Sequence, residues 1–162
     1  MPEFNLLDGY PPPEKPRVVA QNLRTVKHRL IASERGQDFF DGDRNYGYGG
    51  YKYDGRWQSV AAKIIDHYEV PKGGSVLHLN CEKGFLLNDL QQADPSLKVV
   101  GTESSKYAIE NAMNSIRDNI VETSADDLPF EDNQFDFVLG LGVTYIFTLS
   151  DAIKVLREIE RV

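Results

Sequence analysis

The stretch Ser75–Glu103, SVLHLNCEKGFLLNDLQQADPSLKVVGTE, decides the fold class of this chain. Its first seven residues, SVLHLNC, and the later run LKVVGT are short and apolar, as buried strands are. Between them, the segment from Gly84 through Leu90 predicts a helix. A strand, a helix and a second strand in such close succession indicate two parallel strands of one sheet, with the helix packed across them.

The same alternation continues to the end of the chain. The pattern predicts a helix from about Ser104 to Arg117, a weak strand NIVET, a strongly apolar strand FDFVLGL and a last helix that Ser150 caps. This order favours an α/β fold in which an incomplete parallel sheet of about four strands is wrapped by helices. In such sheets, ligands bind beyond the carboxyl ends of the strands, where the strand order reverses. We therefore expect the site at residues 78–85, around residue 103, and at residues 124–130 and 140–145.

Two segments precede this sheet. Residues 1–20 hold five of the eight prolines and predict an extended arm. Apolar residues at helical spacing then predict a short amphipathic helix from about Asn22 to Arg35. Residues 38–57 place aromatic side chains between glycines with neither a strand nor a helix period, which predicts an ordered loop. A second amphipathic stripe from Trp57 to Tyr68 predicts the helix that leads into the sheet.

The composition excludes several classes of partner. The 162 residues are 41% hydrophobic, and because no apolar run approaches the roughly 18 residues that a membrane span needs, we predict no membrane association. The net charge is −7 and the basic residues form no cluster, so nucleic acid is not an expected partner. The single cysteine cannot form an internal disulfide, and the first residues carry no secretion signal. These features favour the cytoplasm.

Two residues at the predicted strand ends point to a ligand. Gly84 stands at the start of a helix, where free backbone amides attract anionic groups and a glycine lets the backbone approach closely. Glu103 ends the second strand, where an acidic side chain can accept both hydroxyl hydrogens of a ribose. This interpretation predicts a cofactor that carries a nucleoside. Alternatively, Glu103 caps the helix that begins near Ser104.

These features resemble the class I S-adenosylmethionine-dependent methyltransferases. The alternating order, the turn at residues 80–84 and Glu103 are typical of that family, and ADDLPFEDNQFDFVLGL is similar to its acidic Leu-Pro-Phe loop and following strand. The likeness covers residues 46–162, and GYGGYKYDGRW also resembles small bacterial methyltransferases associated with surface-polysaccharide pathways. The pattern and the resemblance together divide the chain into three parts: a Pro-rich extended arm (1–20), an N-terminal helix with an aromatic lid (21–56) and a Rossmann-like domain that lacks the usual C-terminal strands (57–162).

The resemblance also implies S-adenosyl-L-methionine as the cofactor and a small molecule as the acceptor of the methyl group. The turn Leu79–Gly84 would wrap the methionine portion, and Glu103 would hold the ribose. Ala125 and Asp126 would flank the adenine, and Gly140–Val143 would face the sulfonium and the substrate. The implied cofactor-binding residues are Leu79, Asn80, Cys81, Gly84, Glu103, Ala125, Asp126, Gly140 and Arg56.

The aromatic segment, residues 46–56, would fold over this pocket as a lid. In that arrangement, Arg56 would pair with the cofactor carboxylate. Tyr51 or Tyr53 would pack on the side of the cationic sulfur. The alternative is that these tyrosines only cover the edge of the sheet.

Three residues of the predicted turn depart from the family pattern. His78 stands where an acidic residue is usual, and Asn80 and Glu82 stand where glycine is common. Asparagine tolerates a left-handed backbone, so Asn80 is compatible with the turn. Glu82 would place its carboxylate near that of the methionine portion, and two unit charges roughly 4 Å apart repel by about 4 kcal/mol at an effective dielectric constant near 20. We therefore expect weakened affinity for the cofactor.

His78 and Cys81 have structural interpretations beside the chemical ones. His78 is a core histidine, a group that orients the turn, or a base. Cys81 is a small buried apolar residue or a nucleophile, and no histidine is obviously paired with it. The three histidines are not spaced as metal ligands, so the sequence predicts no metal site.

The strand FDFVLGL would lie at an edge of the sheet, because relatives usually continue into further strands and this sequence ends at Val162. An unpaired edge with an apolar face invites pairing with another chain. We therefore expect either a fragment of a longer reading frame or a homodimer formed through that edge.

Three functions are compatible with these features. A methyltransferase is the leading hypothesis. The altered turn and the missing strands motivate the alternative of a binding or scaffold protein that keeps the fold without catalysis. A nicotinamide-dependent oxidoreductase is disfavoured, because Asn80, Glu82 and Phe85 occupy the glycine positions of its GxGxxG motif.

Overall fold

The computed structural model describes residues 4–12 and 23–162. Most of the predicted arm at 1–20, and the predicted helix start at Asn22, lie outside these residues. The described part of the arm is not extended as predicted. It folds into turns, because its aromatic side chains pack on the helix that precedes the sheet.

Four strands, six α-helices and two short 3₁₀ turns make up the described fold. The strands are β1 (Ser75–His78), β2 (Lys98–Glu103), β3 (Ile120–Glu122) and β4 (Phe137–Leu139). The helices are α1 (Val26–Ser33), α2 (Gln37–Asp41), α3 (Gln58–His67), α4 (Phe85–Ala93), α5 (Lys106–Glu110) and α6 (Leu149–Arg161). From β1 onward, strands and helical segments follow one another as the sequence predicts.

The four strands form one parallel sheet in the order β3-β2-β1-β4. Val76 of β1 lies opposite Val99 of β2 on one side and opposite Phe137 of β4 on the other. The chain first builds the sheet outward from β1 to β3 and then returns to place β4 beside β1. The predicted α/β class with an incomplete, Rossmann-like parallel sheet is confirmed, and β4 is an edge strand within the described residues.

One face of the sheet, which we call the α4 face, is covered by α3 and α4. Apolar residues of α3 recur every three to four positions, so they form one stripe that packs against the leucines of α4. Together with Val76 and Val99 they form a continuous buried core. The buried members are Val60, Ala61, Ile64, Leu86, Leu87 and Leu90.

The opposite face, which we call the α6 face, is covered by α6 and the loop at residues 123–136. Val155 of α6 is fully buried against Leu77 and Leu79. The Thr148 side chain caps α6 by accepting the Asp151 amide at 3.3 Å. The prediction that Ser150 caps this helix is therefore wrong by two residues, because the first turn begins earlier.

Two further predictions on secondary structure need correction. The helix predicted from Ser104 to Arg117 is regular only over α5. Beyond α5, the amide of Met113 donates to the carbonyl of Lys83 at 3.1 Å, a contact that leads the chain away from the helix axis. The loop predicted at 38–57 contains α2 at its start, where Phe40 is fully buried.

The sequence predicts no membrane association, and the helices of the structure can be compared with that prediction. Within residues 4–12 and 23–162, no helix has the length and apolar character that crossing a bilayer requires.

Candidate functional site

A crevice opens between the carboxyl ends of β1 and β4. This is the point where the strand order reverses, and therefore the place where open α/β sheets bind ligands. The crevice measures about 110 Å³. Its walls come from three parts of the chain: the N-terminal segments, the turn after β1 with α4, and the stretch after β4. The lining residues are Arg35, Tyr48, Tyr51, Trp57, His78, Asn80, Cys81, Glu82, Leu86, Leu141, Gly142, Tyr145 and Ile146.

A second hollow, of about 420 Å³, lies away from the strand ends along β2 and β3. The charged side chains at its rim, Lys98 and Asp118, are exposed. Because it brings together no buried polar groups, it offers little to recognise a ligand, and the crevice is the better candidate site.

The turn after β1 uses three left-handed residues. Asn80, Glu82 and Gly84 have φ angles of 51°, 56° and 74°. Asn80 thus adopts the conformation that the sequence analysis considered compatible with it. Most of the turn's amides are bonded within the protein: the Cys81 amide donates to the Thr102 carbonyl at 2.9 Å, and the Gly84 amide donates to the Cys81 carbonyl at 2.8 Å.

Gly84 has a packing role that the sequence analysis did not foresee. A Cβ built at this position would lie 2.1 Å from Cδ1 of Ile116, so the side chain of Ile116 fills the space beside the glycine. Its left-handed φ also favours glycine. The close approach that the sequence predicted at Gly84 is therefore made by a core residue, and the crevice lining does not include Gly84.

Glu103 is fully buried at the end of β2. Its carboxylate accepts the backbone amides of Ser104 and Ser105 at 2.9 and 2.8 Å, and the amide of Glu82 at 2.9 Å. The first two bonds hold the chain between β2 and α5 but do not cap that helix, because the side chain of Ser105 accepts the Ala108 amide at its start. The alternative that Glu103 caps the helix is therefore wrong. The third bond ties β2 to the turn after β1.

Glu82 places its carboxylate at the crevice, as the sequence predicted, and the guanidinium of Arg35 lies beside it as a counter-charge. Its Oε1 lies 3.2 Å from Nη2 of Arg35 and accepts the Tyr48 hydroxyl at 2.7 Å. Burial raises the pKa of Glu82, whereas the Tyr48 hydrogen bond and the Arg35 charge oppose this rise. The cation and the carboxylate therefore form a pair inside the crevice wall.

The aromatic segment lies across the turn after β1 and the start of α4. The Tyr51 ring packs on Phe85 with 4.6 Å between ring centroids, and the Tyr53 hydroxyl donates to Asp89 at 2.6 Å. Lys83, in the turn after β1, binds the aromatic segment, since its Nζ donates to the Tyr51 carbonyl at 3.0 Å. Burial and the Glu82 charge raise the pKa of Tyr48 and Tyr51, so both hydroxyls stay protonated.

Arg56 does not lie in the crevice. Its Nε is 2.8 Å from both carboxylate oxygens of Asp54, and its guanidinium carbon lies 5.7 Å from the centre of the Tyr10 ring. The basic residue in the crevice is Arg35, which the sequence analysis assigned only to the end of a helix. No motif marks Arg35, because its partner Glu82 lies 47 positions further along the chain.

His78 and Cys81 both line the crevice and are both uncharged. His78 is 6% exposed, and its Nδ1 has no hydrogen-bond partner among the described residues. Burial lowers the pKa of His78 to about 4, so the imidazole is neutral near pH 7. Burial, with the charges of Glu103 and Glu82, raises the pKa of the Cys81 thiol, which disfavours a thiolate nucleophile.

Four other predicted cofactor residues do not line the crevice in the described structure. Leu79 and Ala125 are fully buried in the core of the α6 face. Asp126 accepts the Ser124 hydroxyl in the loop after β3. Gly140 directly precedes the lining residues that follow β4, and a Cβ there would lie 2.8 Å from Cγ1 of Val143.

The stretch after β4 supplies lining residues that the sequence analysis gave only as a range or did not assign. Leu141 and Gly142 lie within the predicted range 140–143. Tyr145 lies within the wider expected range 140–145 and Ile146 one residue beyond it, and both belong to a short 3₁₀ turn. A turn of three residues leaves no periodic pattern in the sequence, so only its position after a strand end could have indicated it.

The comparison with protein families agrees with this architecture. The family described as "Methyltransferase domain" matches residues 77–162, which contain β1 from its third residue, the crevice turn and every later element. The chain belongs to this methyltransferase domain family.

Individual relatives extend this comparison. The chain is 32% identical over 106 residues to demethylmenaquinone methyltransferase from Staphylococcus carnosus, an alignment that covers 62% of this chain and 43% of the relative. Among solved structures, one from Methanococcus maripaludis, provisionally described as an S-adenosyl-L-methionine-dependent methyltransferase, matches with a TM-score of 0.58 and 18% identity over 91% of this chain and 62% of its own.

Magnesium protoporphyrin IX methyltransferase from Synechocystis PCC 6803, solved with bound S-adenosylmethionine, matches with a TM-score of 0.51 and 20% identity over 64% of this chain and 50% of its own. These two structural likenesses show the shared fold. The chain thus spans less than two thirds of the length of each of these relatives.

Proposed function

We propose that this chain is the cofactor-binding part of an S-adenosylmethionine-dependent methyltransferase that acts on a small molecule. The proposal rests mainly on the crevice, which lies where the strand order reverses. The chain that forms it belongs to the methyltransferase domain family. The curated relative is a methyltransferase by name, and the Synechocystis structure holds this cofactor.

The groups around the crevice suit such a ligand. A guanidinium from Arg35 complements a carboxylate, and the unpartnered Nδ1 of His78 can accept a hydrogen bond. The rings of Tyr48, Tyr51 and Trp57 offer flat faces to a cation or a heterocycle. The volume of the crevice is too small for the whole cofactor, because about 110 Å³ is below the roughly 300 Å³ at which small-molecule pockets begin. Side chains at the wall therefore have to move for a whole cofactor to enter.

When bound, the cofactor supplies an activated methyl group, so the protein mainly aligns the reactants and excludes water. The aromatic segment is suited to excluding water, since it already closes over the turn. We propose that it acts as a lid, that Asn80 and Cys81 contact the methionine portion, and that Glu103 supports the ribose side from its buried position. Leu79, Gly84, Ala125, Asp126 and Gly140 would shape the surrounding backbone.

The chain carries its own reporter for this proposal, because Trp57 is its single tryptophan and lines the crevice. Titration with S-adenosylhomocysteine is expected to change the fluorescence of Trp57 and to give heat in calorimetry with the same dissociation constant. Trp57→Phe should remove the optical signal and keep the heat. Absence of both signals at millimolar ligand would contradict the proposal.

A second function is favoured by one feature of the crevice. The turn amides of Cys81, Glu82 and Gly84 are all bonded within the protein, and the side chain of Glu82 stands in the crevice wall. A binding or scaffold protein that keeps the fold without catalysis would tolerate such an arrangement. The same titration separates the two functions, since the scaffold predicts no response to the cofactor product.

The acceptor is proposed from resemblance alone. GYGGYKYDGRW supports a small molecule of a surface-polysaccharide pathway, whereas the name of the curated relative gives a demethylated quinone as that protein's own acceptor. Incubation with cofactor labelled in its methyl group, together with a sugar nucleotide or with a quinone head group, distinguishes them. Label in the sugar supports the pathway proposed here, and label in the quinone overturns it.

We also propose that two copies of the chain associate through β4. Within the described residues β4 pairs only with β1, so its other side presents unpaired backbone groups. Size-exclusion chromatography with light scattering should give twice the mass of one chain. A monomer at high concentration would contradict the proposal.

A further inference from the structure

Arg35 is a cation fixed in place at the wall of the crevice. It follows α1 with a left-handed φ of 47°, and its carbonyl accepts the Ser105 hydroxyl at 2.5 Å. Its guanidinium carbon lies 4.9 Å from the centre of the Phe39 ring and 5.6 Å from that of Phe40. Strained backbone and stacked aromatic rings hold the charge toward the crevice before any ligand arrives.

Two carboxylates lie near this cation, and they differ in how firmly they are held. Glu103, at 4.0 Å, accepts three backbone amides and is fully buried. Glu82, at 3.2 Å, is held through side chains alone, those of Arg35, Tyr48 and Tyr51. Glu82 is therefore the carboxylate that a competitor can displace by side-chain rotation, whereas Glu103 is part of the backbone framework.

The pairing with Glu82 uses only one of the hydrogen-bond donors of the Arg35 guanidinium. Among the described residues, only Glu82 accepts a hydrogen bond from it, through Nη2 alone. A guanidinium binds a carboxylate best through two parallel N–H donors, a geometry that a free ligand can adopt more readily than a side chain anchored in a turn.

We propose that Arg35 receives the carboxylate of the bound ligand and that Glu82 occupies Arg35 in its absence, so the two carboxylates compete for one cation. This inference rests on the proposed function, because it assigns the carboxylate to the amino-acid tail of the cofactor. It replaces Arg56 with Arg35 as the partner of that carboxylate. It also explains how the small crevice can enlarge, since release of Glu82 frees Tyr48 as well.

Two ligands that share an adenosine thioether test the competition. S-adenosylhomocysteine carries the amino-acid tail, whereas 5′-methylthioadenosine lacks it. Glu82→Gln removes the competing charge and keeps an acceptor for Tyr48, so it should tighten S-adenosylhomocysteine by about tenfold and leave methylthioadenosine unchanged within about twofold. Arg35→Gln should weaken S-adenosylhomocysteine by about tenfold or more and spare methylthioadenosine. Calorimetry measures the affinity of both ligands for wild type and for each variant.

Arg35→Lys is the conservative control. It keeps the positive charge but lacks the two parallel N–H donors of the guanidinium. It should fall between wild type and Arg35→Gln for S-adenosylhomocysteine, and thermal unfolding monitored by circular dichroism verifies that each variant is folded. Equal changes for the two ligands, or weaker binding of S-adenosylhomocysteine by Glu82→Gln, would overturn the competition while the proposed function stands. A wild-type protein that binds neither ligand would overturn both.

Discussion

The two faces of the sheet are built differently. The α4 face buries polar groups beside its apolar core, including His78, Glu103 and Asp89. The crevice opens at the end of this face where the strands have their carboxyl ends. The α6 face has a cluster of aliphatic and aromatic side chains, and its polar contacts lie at the end of α6, where Glu158 and Arg161 bond the loop at 123–136. Large apolar side chains nevertheless remain exposed on α6, where Leu149 is 80% and Leu156 is 55% exposed.

This difference indicates that the two faces depend on different interactions. On the α4 face, the apolar core is supplemented by a few buried polar groups whose hydrogen bonds connect β2, the turn and the N-terminal segments. On the α6 face, stability relies on apolar contacts around Val155 and on the hydrogen bonds of Glu158 and Arg161 to the loop at 123–136, whereas the outer side of the helix is exposed. Polar substitutions should therefore be costly on the first face and mild on the outer side of the second.

The largest effect is expected for Glu103→Ala. Removal of the carboxylate leaves three backbone amides without their acceptor in a fully buried position, so the free energy of unfolding should fall by about 3 to 5 kcal/mol. Urea unfolding measures this change. Glu122→Ala is the matched control, because Glu122 lies opposite Glu103 in the sheet and is exposed.

The control should change the free energy of unfolding by less than about 0.5 kcal/mol. Equal losses at the two positions would show that the amide network of Glu103 is not what holds the α4 face. The expected loss also means that weaker ligand binding by Glu103→Ala is not by itself a sign of ribose contact.

The next effect concerns Gly84. Alanine here adopts an unfavourable left-handed backbone and collides with Ile116, so Gly84→Ala should lower the free energy of unfolding by about 3 kcal/mol. Gly73→Ala isolates the backbone part, because Gly73 has nearly the same φ of 73° and no atom within 4 Å of a built Cβ. It should cost about 1 kcal/mol. A similar cost at both positions, measured by urea unfolding, would rule out the packing role of Gly84.

A smaller effect is expected from pH at His78. The folded pKa of about 4 lies below the usual 6.5, so the unfolded chain binds the proton more readily. The stabilising contribution is complete above pH 6.5 and is lost as pH falls toward 4. Between pH 7 and pH 5, wild type should therefore lose about 2 kcal/mol more stability than His78→Asn. Parallel losses in urea unfolding at the two pH values would contradict the buried, neutral state of His78.

The sequence predicted the sheet because apolar runs report burial directly. SVLHLNC and FDFVLGL each contain a strand, and LKVVGT contains all of β2 but its last residue. Their alternation with helices located the crevice at residues 78–85 and 140–145. The turn was also accessible, since Asn80 stands where the chain needs a left-handed residue. These features depend on neighbours in the sequence.

The features that the sequence did not predict depend on distant partners. Arg35 belongs to the crevice only because of Glu82, and Gly84 is small because of Ile116. The helix after β2 ends early because Met113 bonds the carbonyl of Lys83. None of these contacts has a local pattern. The family resemblance therefore favoured Arg56, and residue type and spacing favoured a ligand role for Gly84 and a long helix.

The smallest effect is expected on the outer side of α6, at Leu156→Gln. This residue is 55% exposed, so the free energy of unfolding should change by less than about 0.5 kcal/mol. Its neighbour Val155 is fully buried, and Val155→Ala should cost about 2 kcal/mol by the loss of two buried carbons and the cavity left behind. Urea unfolding of both variants at low protein concentration gives the contrast within one helix. If Leu156→Gln proves as costly as Val155→Ala, a second chain covers the α6 face, and light scattering of that variant should then show a lower mass than wild type.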